Sequence, residues 1–192
     1  MSKRAICLIV CSLLISTVTR ERARAQTSGQ PERFDAIAMV NNSRASGAGT
    51  VQIQVTRWST TAERAKLIDV LRSKGAEKLL DVLSDMRPVG TIKTPDSLAY
   101  DLRYAHETAR EDGGRRIVIA TDRPIGFWEA ARNSRTIDYP FTVIQMEIGR
   151  DGQGKGTLSY ATKIISKDDT IILENFGTQP VMLTEIHSEK IK

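Results

Sequence analysis

Cysteine is nearly missing from this chain of 192 residues: the only two, Cys7 and Cys11, stand at its start. Histidine is as scarce, with His106 and His187 alone, and aromatic residues make up 5%. Past residue 11 no disulfide can form. Two imidazoles without a thiolate assemble neither a three-histidine nor a cysteine zinc site. No metal and no cofactor is therefore expected, and the fold must rest on an ordinary apolar core.

A membrane-spanning run is lacking too. Ala5–Val18 is apolar over 14 residues, short of the roughly 20 needed to cross a bilayer. Lys3 and Arg4 precede it, and Ala23-Arg24-Ala25 follows with the small-x-small pattern of a cleavage site. Together they predict a signal peptide over residues 1–25, a secreted or periplasmic location, and no stable membrane insertion after cleavage. A lipid anchor on Cys11 fits poorly, because Val10 is bulky where a small residue is expected.

An excess of positive charge is the third absence. The full chain has 28 Lys+Arg against 23 Asp+Glu. Residues 1–25 hold five of those bases (Lys3, Arg4, Arg20, Arg22, Arg24) and one acid, Glu21, leaving 23 against 22, a net +1. No basic run remains, so no nucleic-acid partner is expected. The other 167 residues suffice for one domain with a sizeable core.

What is present is mostly alternation. Residues 26–33 are polar and read as a flexible arm before a single domain over 34–192. Phe34–Val40 and Val51–Val55 read as strands, with a Asn/Ser/Gly-rich loop over 41–49 between them. Thr60-Thr-Ala-Glu63 is a capping box. Leu67, Ile68 and Leu71 follow at helical spacing, Gly75 can end that helix, and Leu79, Leu80 and Leu83 mark a second one stopped by Pro88. From Val89 onward the pattern is strand and turn, with Asp112-Gly113-Gly114 as a hairpin tip and glycine-rich Asp151–Gly156 as another. The expected fold is α+β: a curled or barrel-like, largely antiparallel meander of about eight or nine strands, with one helical hairpin over a face or mouth.

Two near-motifs fail on chemistry. Gly149–Lys155 has P-loop spacing, but Gly156 replaces the magnesium-binding hydroxyl and a strand pattern follows where a helix is required. His106-Glu107-Thr-Ala-Arg110 opens like a zinc-protease helix, but a guanidinium stands at the second ligand position and the segment alternates. No G-x-S-x-G elbow is present, and a catalytic residue is not assigned.

Two constellations remain. Asp101, Arg103 and Asp122 share a face of one predicted hairpin, as a cross-strand ion pair or as an acid pair tuned by an arginine. Residues 123–139 form a long connection rich in arginine and aromatics. There Arg123, Phe127, Trp128, Arg132 and Tyr139 either plug an open end of the sheet or bind a ligand. The stretches GTIKTPDSLAYDLRYA, DGGRRIVIATDRPIGFWEAARN and TIDYPFTVIQMEI resemble an uncharacterised family of exported bacterial proteins. That resemblance implies an envelope or secreted location and carries no activity, cofactor or site.

Three functions follow as expectations. The leading one is a non-enzymatic binding or accessory module of the cell envelope, with an unidentified small molecule or envelope protein as partner. The alternatives are a small metal-independent hydrolase using carboxylates, and a structural subunit docking through its helical hairpin. A buried pocket, a cleft holding Asp101 and Asp122, or an exposed leucine face on residues 62–86 would separate them.

Overall fold

Alternating residues that bury one side and solvate the other can close a sheet upon itself, and this chain does nearly that. The computed structural model describes residues 29–41, 46–95, 98–125, 139–167, 170–175 and 179–191. Among these residues ten strands and one helix are formed: β1 (Glu32–Asn41), β2 (Ser46–Val55), α1 (Thr61–Ser84), β3 (Gly90–Lys93), β4 (Tyr100–Leu102), β5 (Tyr104–Ala109), β6 (Arg115–Thr121), β7 (Phe141–Ile148), β8 (Gln153–Lys167), β9 (Thr170–Asn175) and β10 (Val181–Lys190). All belong to one antiparallel sheet in the order β4-β3-β2-β1-β10-β8-β7-β6-β5, with β9 added on β8.

The two ends of that order lie on one stretch of chain, because only Arg103 separates β4 from β5. β4 pairs with β3 and β5 with β6. At the bend, Val89 N–H donates to Leu102 O at 2.7 Å and Arg103 N–H to Ala120 O at 3.0 Å. The sheet is thus a nearly closed barrel whose seam is a single bent strand, an arrangement that leaves few unpaired edges.

Alternation sorts the side chains into two cores. Inside the barrel lie Phe34, Ala36 and Ala38 of β1, Ile53 of β2, Ile117 and Ile119 of β6, Ile144 and Met146 of β7, and Leu183 of β10. The opposite face of β6, β7 and β8 presents Ala120, Phe141, Val143 and Ile164, against which α1 sets Leu67, Val70, Leu71, Leu79 and Leu83.

The helical hairpin is one helix broken at Gly75, whose φ of 80° and ψ of −177° are non-helical. No Cβ makes the positive φ accessible there. The capping box forms: Glu63 N–H donates to Thr60 Oγ1 at 3.1 Å and Thr60 N–H to Glu63 Oε2 at 2.7 Å.

Several boundaries differ from the expectation. The loop over 41–49 is much shorter, since β1 runs on to Asn41 and β2 begins at Ser46, with these two residues in register. The arm over 26–33 is anchored across its described part. Trp58 Nε1 donates to Gln30 O at 3.1 Å, Ile191 N–H to Pro31 O at 2.9 Å, and Glu32 begins β1. Leu98 precedes β4 and is 89% exposed.

The hairpin tip between β5 and β6 is a three-residue loop, Glu111 to Gly113. Gly113 N–H donates to Arg110 O at 3.0 Å, Arg110 N–H to Gly114 O at 2.9 Å, and Gly113 takes φ 80°. This is a type I turn completed by a left-handed residue. The tip between β7 and β8 repeats it, with Gly152 at φ 77° and the same Asp-Gly pair.

Candidate functional site

The broken helix α1 packs chiefly over β8, so the outer face of β5, β6 and β7 is roofed on one side only. A groove of about 920 Å³ runs between them. Its helix wall is Leu67, Ile68, Leu71, Leu79 and Leu83. Its sheet floor is Val118, Ala120, Val143 and Ile164, and Leu173 and Ile171 of β9 border it. The volume stands near the top of the range for small-molecule sites, which are mostly apolar with a few placed polar groups.

Those polar groups come from the outward positions of β5 and the first turns of α1. Tyr104 and His106 are two residues apart on one strand and therefore on one face; their rings stack with centroids 6.1 Å apart. Arg64 of α1 hydrogen-bonds the Tyr104 hydroxyl. Burial pushes the Tyr104 phenol up to about 12, against the opposing pull of Arg64, so it keeps its proton. Burial likewise lowers His106 below 6.5. A hydrogen bond from the ring to the Ser59 carbonyl works against that shift, and the Arg64 charge adds to it. His106 is thus neutral at pH 7, and no anionic group of this trio faces the groove.

The far end of the groove is charged, with Glu111 beside two arginines that are both ion-paired. Arg110 Nη1 is 2.6 Å from Glu147 Oε2 and Nη2 is 2.9 Å from Asp112 Oδ2, while Arg116 Nη2 is 3.2 Å from Glu147 Oε1.

A second polar cluster closes one mouth of the barrel. Glu32, 1% exposed, lies between Arg115 and Lys190: Arg115 Nη1 is 2.7 Å and Lys190 Nζ 2.6 Å from its Oε2, and Arg115 Nη2 pairs with its Oε1. Arg115 also reaches Glu107 Oε2 at 2.9 Å. Burial would raise the Glu32 carboxyl, but the hydrogen bonds and charges of Arg115 and Lys190 outweigh it and hold the group below its ordinary 4.5. Trp58, 6% exposed, belongs to the barrel core and is tied to Gln30, two residues before Glu32.

The residues singled out in the sequence lie elsewhere. Asp101, Arg103 and Asp122 do meet. Arg103 Nε is 3.2 Å from Asp122 Oδ2 and Arg103 Nη2 is 3.9 Å from Asp101 Oδ2. They line neither the groove nor the two smaller cavities of about 620 and 400 Å³. The ion pair is formed, and Asp122 Oδ1 is buried with no hydrogen bond among the described residues. Arg123 is exposed beside Asp122, at 3.6 Å from its Oδ1. Tyr139 packs partly buried against the barrel core, and its hydroxyl donates to Glu174 Oε1 at 2.8 Å. Neither borders the groove. Phe127, Trp128 and Arg132 lie outside the described residues.

The failed motifs resolve as expected: Gly149–Gly152 is a hairpin tip leading into β8, and His106–Ala109 is strand. Among the described residues no three His, Asp or Glu side chains converge to hold a metal ion, and no helix is long and apolar enough to cross a membrane. Sequence reasoning missed the trio Arg64, Tyr104 and His106. Its one legible trace is Arg64 itself, a cation in the first turns of a helix, where the macrodipole favours acids.

The class this architecture defines is an α+β barrel with an external groove under a broken helix. No family model matches the chain, and no significant match is found among curated proteins or solved structures.

Proposed function

We propose that this chain is an exported, non-enzymatic binding module of the cell envelope, which holds a mainly apolar small molecule in the groove between α1 and the outer face of β5–β9. One observation carries the reading: a groove of about 920 Å³ with an aliphatic floor and walls and one polar corner at Arg64, Tyr104 and His106. The signal peptide read in residues 1–25 supports export.

The two alternatives have less beneath them. A carboxylate hydrolase needs Asp101 and Asp122 in a cleft, and they sit at the barrel seam outside the cavities described. Docking through the helical hairpin needs a free leucine face, and Leu67, Leu71, Leu79 and Leu83 are buried against the sheet.

The test is titration with the neutral apolar dye N-phenyl-1-naphthylamine, followed by fluorescence. Saturable enhancement is expected, and it should be reduced at least tenfold in affinity by Leu173→Glu, which places a charge on the half-exposed groove wall. Absence of saturable binding, or binding indifferent to that substitution in a folded variant, would overturn the proposal.

A further inference from the structure

The charges along the groove are not equivalent. Arg110 and Arg116 are compensated by Glu147 and Asp112. Arg64 is different: among the described residues no carboxylate lies within ion-pair distance of it, and its partner is the neutral Tyr104 hydroxyl. It also stands where a helix least favours a cation, since α1 begins at Thr61 and Arg64 N–H makes an early helical bond, to Thr60 O at 3.0 Å. A residue that breaks a local rule without a local compensation marks a functional position.

Resting on the reading of the groove as a ligand site, we infer that its occupant is a long-chain monocarboxylate, with the carboxylate on Arg64 and Tyr104 and the tail along α1. The guanidinium fork matches the two oxygens of a carboxylate in one plane. A phenol that accepts from a guanidinium still has its own proton to donate, and this one remains protonated. One uncompensated cation balances one negative charge; a phosphate dianion would bring a second charge that no cation of this corner meets. The tail path follows from helical spacing. Leu67 and Leu71 lie three and seven residues after Arg64, on the same face, and both line the groove opposite Ile164 and Leu173. Each methylene buried there should tighten binding about fourfold.

The experiment is calorimetric titration of the full protein at pH 8 with decanoate, decan-1-ol and decyl phosphate, repeated on Arg64→Gln and Tyr104→Phe. Arg64 is exposed, so its replacement leaves folding intact, which thermal melting verifies. Decanoate should bind at least tenfold tighter than decan-1-ol and no weaker than decyl phosphate. Arg64→Gln should bring decanoate down to the alcohol's affinity and leave the alcohol unchanged, and Tyr104→Phe should weaken decanoate severalfold. Equal binding of acid and alcohol would overturn this inference and leave the groove reading standing. Tighter binding of decyl phosphate would overturn the assignment to a monocarboxylate. Binding of none of the three would remove the groove reading itself.

Discussion

Arg103 Nε lies 3.2 Å from Asp122 Oδ2 across the seam where the barrel closes. Arg103 Nη1 also donates to Met86 O at 3.0 Å. One guanidinium thus ties the bend between β4 and β5 to the end of β6 and to the turn after α1. Both side chains are largely buried, at 16% and 7% exposure. Removing one partner leaves the other with only a longer contact, Asp122 with Arg123 at 3.6 Å or Arg103 with Asp101 at 3.9 Å, so Arg103→Ala or Asp122→Ala should each cost roughly 1–3 kcal/mol. A double-mutant cycle by urea unfolding should return a coupling energy above about 0.5 kcal/mol; strict additivity would show that the pair does not hold the seam.

The Glu32 network gives the fold an acid limit. Its carboxyl is held below 4.5 in the folded chain by Arg115 and Lys190 despite burial. The unfolded state therefore takes up protons first as pH falls. The stability from this group is fully present above its unfolded value and is lost as pH drops through the folded one. Glu32→Gln should lower stability at pH 7 by about 3 kcal/mol and flatten its pH dependence below pH 5. Parallel curves for both proteins from pH 6 to 3 would count against the network.

The helical hairpin rests on a few leucines. Leu83 is 2% exposed and Leu79 5%, so Leu83→Ala should destabilise by about 2–5 kcal/mol. A loss under about 0.5 kcal/mol, the scale of ordinary surface changes, would mean that α1 does not pack on the sheet in solution.

His106 should titrate below 6.5, because burial and the nearby Arg64 disfavour its charged form. The sign follows as for Glu32: the unfolded chain binds the proton first, so stability falls as pH drops below about 6.5. A carboxylate seated on Arg64 would add a neighbouring negative charge and raise the His106 value. Imidazole proton resonances followed by NMR with and without decanoate should show both effects. A free-protein value at or above 6.5 would contradict the buried position.

Much of the scaffold was legible because it is written in short-range pattern. The Thr60–Glu63 box, the break at Gly75 and the Asp-Gly hairpin tips each depend on residues a few positions apart. Alternation marked most strands. The four-residue β3 was not delimited within the strand pattern after Val89 because Gly90–Lys93 is too short to show a period. The first half of β2 escaped because Ser46–Thr50 is small and polar, and its pairing with β1 decides its conformation. The site was less legible still. Glu32 meets Arg115 across 83 residues and Lys190 across 158. The groove exists only because α1 settles over β8 and leaves β5–β7 partly uncovered, which is a property of packing between distant elements.

Methyl NMR tests the central claim most directly. With leucine, valine and isoleucine methyls labelled, decanoate should shift resonances of Leu67, Leu71, Ile164 and Leu173, which line the groove. Those of Ile53, Ile117 and Ile144, sealed inside the barrel with 0% exposure, should stay in place. Shifts confined to the barrel interior, or none at saturating decanoate, would contradict a binding groove beneath α1.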